Sequence, residues 1–275
     1  MATPMRPAIL ALALFATPSH AQPTLEQARR LYESSGLAAQ VQSIPAQFEQ
    51  GLADYRGKMP DETIAALAEA GRKSFAAEAL REDIVGTLAR KLTPADIAGT
   101  LAWLDAQPGR RITLAEESAA RSMTRENMQA YFESEKDKPA SRRRAGLLAQ
   151  LIQATGAVDI GASFIEAISL GIAVGMDAAQ PVEKRIGVAN LRARLRAAMP
   201  PEKVRATVAA MLPPMYGYIY RGIKDAELAA YVRFNASGLG QRYNEAVTAA
   251  LAGALTRASV RVGELLQAAP AREKV

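Results

Sequence analysis

The chain of 275 residues has no cysteine and a single histidine. Without thiols it cannot form a disulfide, a cysteine nucleophile or a thiolate-ligated metal or iron–sulfur site. Aromatic residues make up only 5% of the chain, and most of its apolar residues are alanine and leucine, which favour helices over strands. With 49% hydrophobic and 23% charged residues, the composition is typical of a globular protein, and it disfavours disorder or a multi-span membrane protein.

The first residues have the layout of a secretory signal peptide. Arg6 is the one positive side chain before a nine-residue apolar run at 8–16, and a small-x-small site ends at Ala21. This pattern predicts cleavage after Ala21 and a periplasmic or secreted protein. The run is too short to cross a bilayer, which takes roughly 20 residues. We therefore expect no transmembrane span in the mature chain and, without a lipobox cysteine, no lipid anchor.

Cleavage would remove the only histidine, His20, so the mature chain from Gln22 would have neither imidazole nor thiol. That excludes a Ser-His-Asp triad, a cysteine nucleophile, and zinc, copper or haem bound through histidine. The sequence also has no calcium loop, phosphate loop or Rossmann glycine pattern. We therefore assign no catalytic residue, no metal site and no cofactor. Carboxylates, amines, guanidinium groups, phenols and hydroxyls remain available for chemistry.

A shift of 131 residues superposes two segments of the chain without a gap. Over the 34 positions from Gly86 to Ala119, eight residues are identical to their counterparts. Others match in kind, as Trp103 does with Phe234. Upstream, LYESSG at 31–36 resembles LIQATG at 151–156, at a shift of 120. Either the chain contains a duplicated unit or two sets of alanine-rich amphipathic helices resemble each other by chance.

We predict an all-α fold of two tandem multi-helix repeats behind a cleaved signal peptide. The predicted parts are the signal peptide at 1–21, helical copy 1 at 22–135, a polar linker at 136–141 and helical copy 2 at 142–275.

The spacing of apolar residues predicts helices throughout. From Gln241 to Leu266 they recur at intervals of three and four, as in a helix with one face on a core. Thr93 is placed to cap a helix, while Gly36 and Gly156 predict left-handed helix ends. Prolines, among them the pair at 213–214, are expected where helices break or begin.

The most distinctive segment, at 227–243 within a corner region at 224–266, predicts a helix corner. We expect a helix that ends at Ser237, a glycine in a backbone conformation closed to other residues, Leu239 folded onto the core, and a helix restarting near Gly240. The corner has two interpretations. In one, its residues cap the helices, form the turn and pack on the core; in the other, they line a polar notch that binds a small ligand. The corner residues are Phe234, Ser237, Gly238, Gly240 and Arg242, with a weaker echo at Trp103 and Gly109.

This segment resembles the acidic-Leu … Phe-Tyr-x-Ser-Pro-x-Gly-Gln/Lys corner of a bacterial exported family known as domain of unknown function 2059. The resemblance covers about forty residues, with Asn235 in place of the family's tyrosine and Gly238 in place of its proline. It implies a small helical protein preceded by a signal peptide. It carries no biochemical activity over to this chain.

Charge is distributed unevenly along the chain. Residues 22–135 hold 13 Lys and Arg against 17 Asp and Glu, whereas residues 136–275 hold 20 against 11, a net charge of +9. We expect Arg185, Arg192 and Arg196, spaced by seven and four, to share a helix face. That face could bind an anionic lipid or another polyanion, or it could be a solvated face paired with the acidic first copy. Nucleic acid is not an expected partner, because no aromatic residues alternate with these arginines.

The one aromatic cluster consists of Tyr216, Tyr218 and Tyr220, of which Tyr216 and Tyr220 are expected on one helical face. They could stack on a sugar ring, or pack between helices or subunits. Adjacent acidic pairs such as Glu116-Glu117 point about 100° apart on a helix, so they do not form a converging acid/base pair.

The sequence thus predicts an exported, non-catalytic binding or scaffolding protein of the cell envelope. Its partner would be an envelope protein or an anionic surface, and a homo-oligomer is also open. Two alternatives remain: a carboxylate-based enzyme that cleaves cell-wall glycans, and a peripheral binder of anionic membranes through the basic second copy. The enzyme alternative requires a glutamate with a raised pKa in a cleft.

Overall fold

A computed structural model describes residues 24–136 and 140–268 of the chain. Over these ranges the chain forms fourteen α-helices and no strand, which confirms the all-α prediction. The predicted signal peptide and residues 137–139 of the predicted linker lie outside the described residues.

The helices follow each other through short connections, with 3-10 turns at Ala53–Tyr55 and Val182–Lys184. In the first half the helices are α1 (Leu25–Ser34), α2 (Leu37–Gln42), α3 (Ile44–Leu52), α4 (Asp61–Ser74), α5 (Ala77–Lys91), α6 (Pro94–Asp105), α7 (Gln107–Ser122) and α8 (Arg125–Glu135). In the second half they are α9 (Arg142–Ala154), α10 (Ala157–Ala178), α11 (Gly187–Ala198), α12 (Pro201–Ile219), α13 (Asp225–Ala236) and α14 (Gly238–Ala268).

Several helix ends agree with the capping signals in the sequence. The Thr93 side chain accepts a hydrogen bond from the Asp96 N–H at 3.1 Å, and the Asp96 carboxylate accepts one from the Thr93 N–H at 3.1 Å. Gly36 and Gly156 have φ of +76° and +65°, so both left-handed ends are confirmed.

The prediction that a helix breaks or begins at Pro213 and Pro214 is wrong, because both lie inside α12 with exposed rings. Leu212 and Tyr218 of α12 are buried, which holds the helix on the core past the prolines.

The main core combines side chains from both halves of the chain. The long helix α14 packs along α10 of its own half and against α4 and α5 of the first half. Fully buried alanines at 250, 254 and 258 of α14 let these helices approach closely. The predicted copies therefore share one core and are not separate globular domains.

One described helix, α10, is long and apolar enough to cross a membrane by composition alone. Core helices meet the same criterion. Here Ala167, Ile168 and Ile172 of α10 belong to the main core, and Gly175 approaches Leu67 of α4 and Val262 of α14.

Candidate functional site

Two helix corners, α6–α7 and α13–α14, have the same construction 131 residues apart. In both, a twelve-residue helix is followed by one extended residue: Ala106 (φ −75°, ψ 161°) in the first corner and Ser237 (φ −71°, ψ 158°) in the second. A Cβ on Gly109 would collide with the Trp103 carbonyl oxygen, and a Cβ on Gly240 would collide with that of Phe234. Close contact between backbones is thus the reason for glycine at both positions.

The expected glycine conformation at this corner is wrong. Neither Gly238 nor Gly240 has a positive φ, and α14 already begins at Gly238, immediately after the extended Ser237. The Ser237 hydroxyl donates to the Phe234 carbonyl at 2.6 Å and accepts from the Gly240 N–H at 3.1 Å. Leu239 contacts α6 at Gly99, so it folds back as expected.

The two corners bind each other through a reciprocal pair of ion pairs. Arg242 Nη2 lies 2.7 Å from Asp96 Oδ1, and Arg111 Nη1 lies 3.2 Å from Glu227 Oε1. Since 96 corresponds to 227 and 111 to 242, the same contact is made twice with the roles exchanged, as in a two-fold symmetric dimer interface. Burial raises the pKa of Asp96, but the hydrogen bonds from Arg242 and Thr93 outweigh it and leave the pKa below its usual value.

An aromatic stack also joins the two corners. The Trp103 ring lies on the Phe234 ring, with centroids 4.2 Å apart and an interplanar angle of 15°. These two residues are also 131 positions apart, so equivalent side chains meet at the centre of the contact. Tyr231 of α13 stacks against the same Trp103 at 5.2 Å.

A carboxylate–tyrosine cluster, made of Glu116, Tyr216, Tyr220 and Tyr231, lies next to this stack. The hydroxyls of Tyr220 and Tyr231 donate to Glu116 Oε1 at 2.6 and 3.0 Å. Burial raises the pKa of Glu116 to about 6, although both tyrosine hydrogen bonds act to lower it. Tyr216 packs edge-on against Tyr220 at 5.4 Å, and its hydroxyl lies 3.3 Å from Thr155 Oγ1.

This cluster decides between the two interpretations of Tyr216 and Tyr220. Tyr220 is only 3% exposed and its hydroxyl is bound to Glu116, so its ring cannot stack on a sugar. Tyr216 lies in the last turn of α12 and Tyr220 is the residue that caps it; the two rings contact each other, and that of Tyr220 also packs against Tyr231 of α13.

Sequence reasoning missed Glu116, because it considered Glu116 and Glu117 only as an adjacent pair. The two do point apart, with Glu116 turned to the tyrosines and Glu117 paired with Arg121. The signal that could have found it is its position on α7, four residues after the buried Ile112 and three before the buried Ala119.

Glu116→Gln is expected to change how stability depends on pH. The folded chain raises the pKa of the Glu116 carboxyl, so below the usual pKa of 4.5 this group is neutral in both the folded and the unfolded chain. In that range it does not lower the free energy of unfolding. Between pH 4.5 and about 6 the unfolded chain ionises at this carboxyl while the folded chain keeps it protonated, so the wild type loses about 2 kcal/mol of stability over that range. In urea unfolding, the variant should gain about 2 kcal/mol on the wild type between pH 4 and pH 7.5.

Glu117→Gln is the matched control for this experiment. It changes the same residue type one position along, where the half-buried Glu117 forms an ion pair with the exposed Arg121 that is worth at most about 1 kcal/mol. If Glu116→Gln and the wild type respond equally to pH, Glu116 does not titrate in a buried site.

The basic residues do not form the expected single face. Arg185 precedes α11 and donates to the Gln180 carbonyl at 2.9 Å, so the expectation that it shares a helix face with Arg192 and Arg196 is wrong. The Asp177 carboxylate binds the N–H groups of residues 186 and 187 and starts α11 only there. Arg196 lies on α11 but pairs with Glu166 of α10 at 3.0 Å, within the second half.

A long groove of about 950 Å³ runs between α9, α13, α14 and the start of α10. Its lining side chains differ in exposure, and we call the exposed ones its walls and the half-buried ones its floor. The wall side chains are Gln150 and Gln153 of α9 and Gln241 and Glu245 of α14, and the floor includes Thr155, Gly156, Thr248 and Ala252.

Hydrogen bonds of Asn244, which lines the groove, connect the helices around it. The Asn244 side-chain amide of α14 donates to the Ala154 carbonyl at 3.1 Å and to Asn235 Oδ1 at 2.9 Å. Asn235 is 1% exposed, and its own amide donates to the Tyr231 carbonyl. Through Thr155 and Tyr216, the groove floor also contacts the carboxylate–tyrosine cluster.

The equivalent surface of the first half is occupied by larger, charged side chains. Arg121 Nη1 lies 3.9 Å from Glu117 Oε2 along α7, and Arg30 pairs with Asp105 across α1 and α6. At a shift of 131, Glu117 corresponds to Thr248 and Arg121 to Ala252. The sequence signal for the groove is this loss of large charged side chains at matching positions of the two halves. The sequence prediction missed it, because it matched the halves by similarity and not by their differences.

No known protein family, curated protein or solved structure matches the chain. The resemblance to domain of unknown function 2059 therefore stays a prediction. Within residues 24–136 and 140–268, no three acidic, histidine or cysteine side chains converge to hold a metal ion. We take the groove as the candidate site and infer its function from the residues that line it.

Proposed function

We propose that this is an exported, non-catalytic binding protein of the cell envelope, and that the groove between α9, α13 and α14 receives its partner. The observation that carries the proposal is the difference between the halves. Where the first half has the charged side chains of Glu117 and Arg121, the second has Thr248 and Ala252, and a cavity of ligand size lies over them.

The comparison rests on a duplicated unit, which we include in the proposal. Three features support duplication: corner helices of equal length at a shift of 131, glycines needed for the same close approach, and reciprocal ion pairs. Chance similarity of alanine-rich helices explains the composition of both halves, but it does not explain a contact in which equivalent residues exchange roles.

The enzyme alternative has less support from the same residues. The carboxyl group of Glu116 has the raised pKa that a glycan-cleaving acid requires. Glu116 does not line the groove, and two tyrosine hydroxyls bind its Oε1. The membrane alternative is weakened because Arg196 and Arg205 form ion pairs with Glu166 and Asp159.

Site-specific photo-crosslinking tests the proposal. A photoreactive residue at Thr248, on the groove floor, is expected to give discrete crosslinked products in cells that export the protein. The same residue at Ala193, exposed on α11, should not give them. Equal products at both positions, or none at Thr248, would remove the groove as a binding site. Turnover of a cell-wall glycan that Glu116→Gln abolishes would replace binding by catalysis.

A further inference from the structure

The side chains that line the groove restrict what can bind in it. No aromatic residue, lysine or arginine is among the described lining residues, which disfavours a stacked sugar ring and an anionic ligand. Three glutamines, at 150, 153 and 241, stand on both walls. Each amide can donate and accept hydrogen bonds.

An extended polypeptide has the matching chemistry. Its N–H and C=O groups are unpaired and repeat along the chain, whereas a helix satisfies its own backbone groups internally. The groove follows one face of α14 from Gln241 to Ala252, a distance of about 16 Å at 1.5 Å per residue. That length takes about five residues of extended chain. The floor of Thr155, Gly156 and Thr248 leaves room for a backbone to lie close to it.

The charged side chains that line the groove are opposite in sign to the net charge of the second half of the chain. Residues 136–275 have a net charge of +9, yet the groove's charged side chains are Asp159 and Glu245. Arg205 pairs with Asp159, whereas the exposed Glu245 makes no ion pair with the described part of the chain. The Glu245 carboxylate in the groove wall is thus available to pair with a basic group of a bound partner.

Resting on the proposed function, we propose that the groove binds an extended segment of a partner protein, with a lysine or arginine side chain of that segment against Glu245. The glutamine amides bind the peptide backbone, and Glu245 selects a basic side chain. The groove then distinguishes sequences mainly by charge, because its small floor residues form no deep side-chain pocket.

Selection from a random dodecapeptide library on the mature protein tests this inference. The selected peptides should be enriched in lysine or arginine, and fluorescence anisotropy should locate their binding with three variants. Glu245→Lys should weaken binding about tenfold, or about 1.4 kcal/mol. Ala252→Arg, which gives the groove the side chain of its counterpart Arg121, should abolish it. Glu264→Lys, an exposed change of the same kind on the same helix, should leave affinity unchanged.

A charge reversal adds a rescue. A selected peptide with its basic residue changed to glutamate should bind Glu245→Lys better than the wild type. Thermal melts of each variant, matched to the wild type, ensure that lost binding is not lost folding. Equal effects of Glu245→Lys and Glu264→Lys, or selection of acidic or no peptides, would overturn the inference.

The outcomes also separate this inference from the proposed function. If soluble peptidoglycan fragments bind, Ala252→Arg prevents it and no peptide is selected, the groove is a binding site and the peptide assignment is wrong. If the crosslinker at Thr248 captures nothing and neither probe binds, both proposals are wrong.

Discussion

Gly240→Ala is expected to lower the free energy of unfolding by about 3 kcal/mol. The new Cβ would meet the Phe234 carbonyl oxygen and lie 2.7 Å from the Asn235 Cα, so two backbones must move apart. Because no flexible side chain is available to give way, the strain falls on the joint between α13 and α14. Urea unfolding followed by circular dichroism measures the loss, and the melting temperature should fall by about 6–12 °C.

Gly146→Ala is the matched control. Gly146 lies inside α9 with nothing within 4 Å of an added Cβ, so alanine should stabilise the helix by up to about 1 kcal/mol. The equivalent corner provides a second comparison, because Gly109→Ala should cost as much as Gly240→Ala. A neutral Gly240→Ala would mean that the close approach at this joint does not exist.

Trp103→Ala should have an effect of similar size, about 3 kcal/mol, through lost packing. Trp103 contacts both Phe234 and Tyr231, so its removal leaves a gap where the two corners meet. Equilibrium unfolding measures the loss, with tyrosine fluorescence as the probe because the variant has no tryptophan.

Trp103→Phe separates loss of the stack from loss of the particular ring. Phenylalanine is the residue at the equivalent position 234, so it should keep most of the stability, with a cost below about 1.5 kcal/mol. If Trp103→Ala and Trp103→Phe cost the same, the stack does not hold the corners together and the contact depends on the ion pairs alone.

Helix identity and many helix ends could be predicted from the sequence, because they depend on local chemistry. Residues within one helical turn of each other determine the reciprocal capping hydrogen bonds between Thr93 and Asp96. The same holds for the left-handed turns at Gly36 and Gly156. The prolines at 213–214 were misjudged, because packing of the buried residues beside them keeps α12 continuous.

The site depends on contacts that local patterns do not contain. The surroundings of Glu116 depend on Tyr220, at the end of α12, and Tyr231 of α13, which the fold brings to it from more than a hundred residues away. Arg185 was expected on the face of Arg196 because spacing assumes a continuous helix, whereas α11 begins at Gly187. The sequence predicts that Trp103 and Phe234 occupy equivalent positions, but it does not predict that their rings touch. The reason is that the spacing of residues along the chain does not specify how two copies pack.

The reciprocal contact between Asp96, Arg111, Glu227 and Arg242 lies within one polypeptide. In an assembly of two identical subunits, every substitution appears on both sides of the symmetry axis, and any cleft is present twice. The duplicated unit that we propose would be free of that constraint, because its two copies belong to one chain. One copy can keep bulky charged groups while the other loses them, so a unit with two-fold internal contacts can still have a binding surface on one side alone.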